Sequence, residues 1–244
     1  MLPARYGSTR FPGKPLAPIG GRPLIEWVYR RARELREARA VVVATDDARI
    51  AEAVRTFGGE VVMTRTDHAT GTDRVAEVAA GLDCDVVLNL QGDEPLFDVD
   101  AVARMVALLG ARTDFDITTA CHNIERPEDL VDANVVKVVT APDGRALYFS
   151  RAAIPSGALA AEPGAARARR HVGVYAFRRD ALLRFAGLPR TPLELSERLE
   201  QLRALEHGMA IGVVETSSHT VGVDVPEDVK SVEKLLAQTY TDGV

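Results

Sequence analysis

Long apolar runs are absent from this sequence; none reaches the roughly 18 residues that a membrane-spanning helix needs. Cysteine is scarce. The two cysteines, Cys84 and Cys121, stand too far apart to match a zinc or redox spacing. Both are expected to be buried free thiols in a reducing cytoplasm. A basic excess is missing too. Thirty Lys and Arg against 35 Asp and Glu leave a formal charge of -5, which argues against a general binder of nucleic acid, since such a protein shows a basic face. No secretory signal pattern opens the chain, because Arg5 and Arg10 are followed by no apolar segment. What remains is an ordinary globular balance, 46% hydrophobic and 27% charged over 244 residues, enough for a sizeable core. No internal repeat or linker divides it, so a single domain over 1–244 is expected.

Short β-branched runs alternate with amphipathic stretches. Ala40–Ala44, Glu60–Met63 and Asp85–Leu90 read as strands. Between them, Pro23–Arg36 places Leu24, Val28, Ala32 and Leu35 at helical spacing, and Asp47–Phe57 is a second helix stopped by Gly58-Gly59. Asp98–Leu109 is a third. This rhythm predicts an α/β fold with a parallel sheet and helices on both faces. Ligands of such sheets bind beyond the carboxyl ends of the strands. Past Leu109 the pattern turns β-rich: Asp116–Ala120, Val135–Val139, Ala146–Ser150 and His171–Phe177, with Asp143-Gly144 as a hairpin signal. Gly157–Arg169 has no period and reads as a mobile loop or lid. Ser196–His207 is expected as one helix capped by Ser196, followed by strand Ile211–Glu215 and a closing helix Asp228–Tyr240.

Polar chemistry gathers in the loops. Arg5, Arg10 and Lys14 fall within Met1–Pro15, with Gly7 and Gly13 between them. Glycines let a backbone approach a ligand, exposed N–H groups form an anion-binding nest, and Arg and Lys bind phosphate oxygens. The stretch reads as a polyanion loop. Leu88–Pro95 ends a strand and delivers Gln91, Gly92, Asp93 and Glu94 into a turn, where Asp93 is a hard oxygen ligand of the kind Mg²⁺ takes beside phosphates. On Asp93 alone an acidic turn ahead of a helix is an equal alternative. His68–Arg74 is a third polar loop, with Thr72 as a candidate cap and Arg74 within reach of an anion. Asp224 stands ahead of the last helix, where it would add a second carboxylate.

These stretches together resemble the sugar-nucleotidyltransferases that activate 2-keto sugar acids with CTP, and most nearly the 3-deoxy-manno-octulosonate (Kdo) cytidylyltransferase family. The resemblance is carried by Pro3–Pro15, Ala44-Thr-Asp46, Met63-Thr-Arg65, Gly71–Arg74, Asn89–Pro95, Asn134–Val139, Ala146–Arg151, Arg170–Tyr175, Leu199–Arg203 and Gly222–Asp228, in order along nearly the whole chain. It implies a Rossmann-like nucleotide-diphospho-sugar transferase fold, with a mixed, mostly parallel sheet and a smaller β-rich part for dimerisation and sugar binding. It implies the reaction CTP + Kdo → CMP-Kdo + pyrophosphate with Mg²⁺, in a cytoplasmic homodimer serving lipopolysaccharide biosynthesis. It implies that Pro3, Ala4, Arg5, Lys14 and Gln91 bind the nucleotide, and that Arg10, Lys14 and Asp93 act in catalysis. Asp93 and Asp224 would hold the metal. Arg74, Gln91, His171, Tyr175, Glu200 and Gln201 would line the sugar-acid pocket.

Without the resemblance, His171 reads as a satisfied strand histidine, Tyr175 as a core aromatic and Glu200 as a solvated helix face. Two features depart from the family. Only Met1 and Leu2 precede Pro3, where relatives carry a full apolar strand, so a truncated first strand is expected. Gly157–Arg169 lacks the aromatic and acidic residues expected in some relatives. Two other readings stand beside the main one: a cytidylyltransferase for another eight- or nine-carbon keto acid, such as an 8-amino analogue of Kdo, and a non-catalytic nucleotide-binding protein of the same fold.

Overall fold

In the computed structural model, which describes residues 1–7, 11–157, 166–217, 222–223 and 225–241, the chain divides into two compact units. One comprises Met1–Asp83, Asn89–Val99 and Thr220–Val244; the other comprises Cys84–Leu88 and Asp100–His219. The expected loop Gly157–Arg169 falls largely outside the described residues, and Arg169 already belongs to a strand.

The first unit begins with strand β1, Leu2–Ala4. A single 3-10 turn over Lys14–Leu16 follows, then the two-residue strands β2, Pro18–Ile19, and β3, Arg22–Pro23, which pair as a hairpin. Next come α1, Leu24–Ala32; β4, Val42–Thr45; α2, Ala48–Thr56; β5, Glu60–Met63; and α3, Gly71–Ala80. Strands β1, β4 and β5 form an all-parallel sheet in that order, with Leu2 opposite Val43 and Val43 opposite Val61. Parallel neighbours need crossovers, and the intervening helices provide them. Every residue of β4 is buried, as befits a central strand of a covered sheet. Helix α1 buries Leu24, Ile25, Val28, Tyr29 and Ala32, one face at helical spacing.

Helix starts follow side-chain chemistry. Asp47 accepts the Arg49 amide at the start of α2. At α3 the cap is Thr70 rather than the expected Thr72, because Asp73 returns the bond to the Thr70 amide and completes a capping box.

The second unit contains β6, Val86–Asn89; α4, Val99–Ala111; β7, Ile117–Asn123; α5, Pro127–Val131; β8, Lys137–Thr140; β9, Ala146–Ser150; β10, Arg169–Arg178; α6, Arg179–Ala186; α7, Pro192–Glu197; α8, Gln201–Glu206; and β11, Ile211–Glu215. Its sheet runs β11-β7-β10-β8-β9, with β6 also against β10. Here the pairing is mixed. Strand β11 lies parallel to β7, while β10 is antiparallel to β7 and β8. The β8–β9 turn has Gly144 at φ 84°, and the amide of Val213 donates to its carbonyl at 2.9 Å. With the Arg145–Gly212 bridge, this joins the hairpin to the opposite end of the strand order.

The expected helix Ser196–His207 is two helices. Thr191 and Pro192 start α7, with Glu194 bonded back to the Thr191 amide. Arg198, at φ 55° and the one non-glycine with positive φ among the described residues, breaks the run before α8. Cys84 is half-buried rather than buried; Cys121 is buried, and burial pushes its thiol up to about 11. The closing helix α9, Asp228–Thr241, returns to the first unit, where Glu233 accepts the Gly20 amide at 3.0 Å. Among the described residues no helix is long and apolar enough to cross a membrane.

At Gly212 an added Cβ would stand 2.9 Å from the Phe115 ring. Gly212→Ala should therefore cost about 1–3 kcal/mol through overpacking. Urea unfolding should show a lower midpoint with an unchanged slope; an unchanged midpoint would mean that Phe115 gives way freely.

Candidate functional site

The loop after β1 is folded onto itself before it meets any other element. The Gly13 amide donates to the Tyr6 carbonyl at 2.9 Å, and the Lys14 amide to Phe11 at 3.1 Å. Gly13 has φ 74°, and an added Cβ would lie 3.0 Å from the Tyr6 ring, so a side chain there is excluded twice over. Tyr6 is covered in turn by the Arg49 guanidinium, 3.3 Å from its ring centre. This closure fixes where Lys14 begins. Pro15, buried at the second position of the 3-10 turn, then sets its direction.

Across from it lies the turn that follows β6. The Leu90 amide donates to the Met1 carbonyl at 3.0 Å, which lays this segment beside the start of β1. At Gly92 a Cβ would approach the Pro3 carbonyl to 3.1 Å, so glycine permits the close passage. The result is an ion pair between Lys14 Nζ and Asp93 Oδ2 at 2.5 Å, with side chains 14% and 30% exposed. The Val223 amide donates to the Asp93 carbonyl at 2.9 Å, and Gly222 would bring a Cβ within 3.5 Å of that same oxygen. The backbone ahead of Asp224 is thus anchored on Asp93. Asp224 itself, like Arg10, lies outside the described residues.

A cleft of about 500 Å³ opens here. Pro3, Ala4, Arg5, Lys14, Gln91 and Asp93 all line it, as do Gly92 and Pro15. Its other wall is His68, Ala69, Thr70, Gly71 and Arg74. The end of β1, the turn Gln91–Asp93 and the start of α3 therefore meet at one place, as the strand-end rule requires. Among the described residues no group of three or more His, Cys, Asp or Glu gathers to hold a metal ion.

Arg74 differs from an open cation at the pocket edge. It is buried, and its guanidinium donates to Asp46 Oδ2 at 2.8 Å, to the Arg65 carbonyl at 3.3 Å and to the Thr64 hydroxyl. These bonds knit the ends of β4 and β5 to α3. They also give roles to two stretches that sequence reasoning left without one, Ala44-Thr-Asp46 and Met63-Thr-Arg65. His68 was not singled out either. Its Nε2 meets Glu77 Oε2, and that bond holds the Glu77 carboxyl below its usual range despite the cost of desolvation. The signal was its place at the head of a polar loop before a capped helix.

In the second unit, His171 and Tyr175 face each other with ring centres 5.5 Å apart, and Phe149 meets His171 edge-on at 5.0 Å. The register of β10 against β7 shifts between Val172 and Tyr175, an irregularity of the kind that re-aims side chains. Thr119 exploits it. Its hydroxyl donates to the Val174 carbonyl at 2.8 Å and lies 2.9 Å from His171 Nε2. A hydroxyl has one proton. With that proton on the Val174 carbonyl, Thr119 accepts from Nε2–H, and Nδ1 of His171 is the acceptor. Burial pulls the imidazole down to about 3, so the ring is neutral. Glu200 immediately precedes α8 and Gln201 opens it. Gln201 is buried, and its Nε2 meets no hydrogen-bond partner among the described residues.

The Cytidylyltransferase family profile matches residues 1–211. A 3-deoxy-manno-octulosonate cytidylyltransferase of Syntrophotalea carbinolica is 52% identical, with 97% of both chains covered. One from Geobacter metallireducens is 50% identical, with 96% of each covered. A solved CMP:2-keto-3-deoxy-manno-octonic acid synthetase complexed with CTP superposes with a TM-score of 0.90 at 42% identity, covering 98% of this chain and 97% of that one. By profile, identity and fold, the chain belongs to the 3-deoxy-manno-octulosonate cytidylyltransferase family.

Proposed function

We propose that this protein transfers CMP from CTP to the anomeric hydroxyl of 3-deoxy-D-manno-octulosonate, releasing pyrophosphate, and that it works as a cytoplasmic homodimer in lipopolysaccharide biosynthesis. The observation that carries the reading is the cleft in which Arg5, Lys14, Gln91 and Asp93 converge beyond the strand ends. The hydroxyl attacks the α-phosphorus, its proton is lost, and the bond to the pyrophosphate oxygen breaks. Such a transfer needs in-line placement and charge neutralisation more than a covalent nucleophile.

Arg5 and Lys14 are the described cations available to the triphosphate, and Arg10 joins them by family resemblance. Gln91 lies between nucleotide and sugar in this reading. The donor set fits Mg²⁺, which is commonly held by one or two carboxylates together with substrate phosphates. Asp93 and Asp224 would hold the ion, which when bound neutralises phosphate charge and makes the attacking hydroxyl more acidic. Lys14 is already matched by Asp93 at 2.5 Å. A phosphate at Lys14 and a cation at Asp93 replace one ion pair by two, so the two side chains favour triphosphate and metal arriving together. His171, Tyr175, Glu200 and Gln201 read the sugar carboxylate and hydroxyls in this reading. The neutral His171 offers an acceptor to a hydroxyl, and the buried Gln201 amide offers a donor.

Three outcomes follow. Asp93→Asn should keep the fold and lower kcat by about 10²-fold or more, as should Lys14→Ala; near-normal turnover of Asp93→Asn in saturating Mg²⁺ contradicts the metal assignment. Glu200→Ala should raise KM for the keto sugar and leave CTP affinity by calorimetry nearly unchanged; the reverse pattern puts Glu200 at the other end of the reaction. Finally, imidazole NMR should show His171 neutral and protonated at Nε2 down to pH 5. Because the unfolded chain takes up a proton near 6.5 that the folded one refuses, His171 should also make stability fall as pH drops below that value. A His171 titration midpoint near 6.5 in the folded protein would overturn this.

A further inference from the structure

Lys137 is completely buried in β8. Its ammonium donates to three backbone carbonyls, Asp132 at 2.9 Å, Val135 at 2.6 Å and Arg151 at 2.6 Å. Three N–H groups meet three acceptors, and burial pulls the ammonium below its usual range. The effect is to pin Arg151, the residue just after β9, to the turn before β8.

Arg151 passes that anchorage on. Its amide donates to Glu197 Oε2 at 2.9 Å, its Nε to the Glu197 carbonyl at 2.9 Å, and its Nη1 to the Ala133 carbonyl at 2.8 Å. Glu197 Oε1 accepts from the Ser150 hydroxyl at 2.6 Å and from Tyr148 at 3.3 Å. Burial opposes ionisation of Glu197, and the Arg151 amide with the two hydroxyls overcomes it, so the carboxyl stays below its usual range.

Glu197 is the last residue of α7. Directly after it comes Arg198 in the left-handed region at φ 55°, a conformation that is costly for an ordinary residue and persists where its surroundings impose it. On the other side of the corner, Arg203 grips Glu194 with two bonds, 2.9 and 2.7 Å, both side chains being buried. Between these two clamps stand Glu200 and Gln201. A buried amide donor without a partner is costly, and Gln201 Nε2 is such a group among the described residues, 7% exposed as a residue. A ligand oxygen would satisfy it.

We propose that Glu197 is a positioning residue for the keto-acid pocket: tied to Ser150, Tyr148 and Arg151, with Lys137 fixing the Arg151 backbone, it imposes the α7–α8 corner that presents Glu200 and Gln201 to the sugar. This rests on the reading of Glu200 and Gln201 as sugar contacts. The residue touches no substrate; it acts through the corner. An amide in its place cannot serve every partner. If its oxygen accepts from Ser150, its NH₂ faces the Arg151 N–H, and donor meets donor.

The test uses the full-length protein with three variants, Glu197→Gln, Ser150→Ala and Glu200→Ala, each measured for keto-sugar KM, kcat, CTP affinity by calorimetry and urea midpoint. Glu197→Gln should raise the sugar KM roughly tenfold with kcat and CTP affinity nearly unchanged, since small misplacements of binding groups are costly. Ser150→Ala should give the same pattern more weakly. A merely structural tie would lower the urea midpoint and leave the sugar KM alone. If Glu200→Ala raises the sugar KM and Glu197→Gln does not, the positioning role is overturned while the pocket stands. If neither variant moves it, the pocket reading has failed and the positioning role with it. Should Glu197→Gln fail to fold, Ser150→Ala decides: a raised sugar KM supports the role, and an unchanged one beside a raised value in Glu200→Ala overturns it.

Discussion

The 2.5 Å ion pair between Lys14 and Asp93 is the interaction around which the first unit is arranged. Two charges that are mostly withdrawn from water are costly unless they meet each other with good geometry, and nearly every local feature here serves that meeting. Gly13 lets the loop close on Tyr6, Pro15 directs the turn that carries Lys14, and Gly92 lets the opposing turn pass the Pro3 carbonyl. Substituting any of these backbones' special residues moves one charge away from the other. The parallel sheet holds β1, which leads into the loop carrying Lys14, and the Leu90 amide ties the turn carrying Asp93 to the Met1 carbonyl. A pair of this kind is ready for exchange. It holds the cleft in shape, and the same two groups are those that a nucleoside triphosphate and its cation would claim.

The second unit answers a different problem, that of placing polar groups inside a mixed sheet. Thr119, His171, Lys137 and Glu197 are each buried or half-buried, and each is satisfied by named partners. Such networks are favourable only when complete. The amide of Gln201, at the start of α8, is buried without a partner among the described residues, as is the Thr191 hydroxyl.

Much of this was legible beforehand, and the failures have physical causes. Strands β5 and β9 have the bounds that their β-branched and aromatic runs announce, because polar or turn residues flank them. The grouping of Arg5, Lys14, Gln91 and Asp93 followed from residue type and strand-end logic. What could not be read was anything decided by a distant partner. Arg74 looked like a free cation until Asp46 and Thr64 were seen around it. Lys137, in the Val-Val-Lys-Val-Val run read only as a strand, is held inside by three carbonyls that the sequence does not announce. The break at Arg198 is a left-handed backbone position at an arginine, which no hydrophobic periodicity reveals.

Transfer of CMP from CTP to an eight-carbon keto sugar acid is decided by pyrophosphate release, followed continuously with CTP and Mg²⁺ and then with 3-deoxy-D-manno-octulosonate added. Release should depend on the sugar and run in step with formation of CMP-Kdo. Release from CTP that proceeds without any keto acid, or its complete absence across a panel of such acids, would show that the fold does something else.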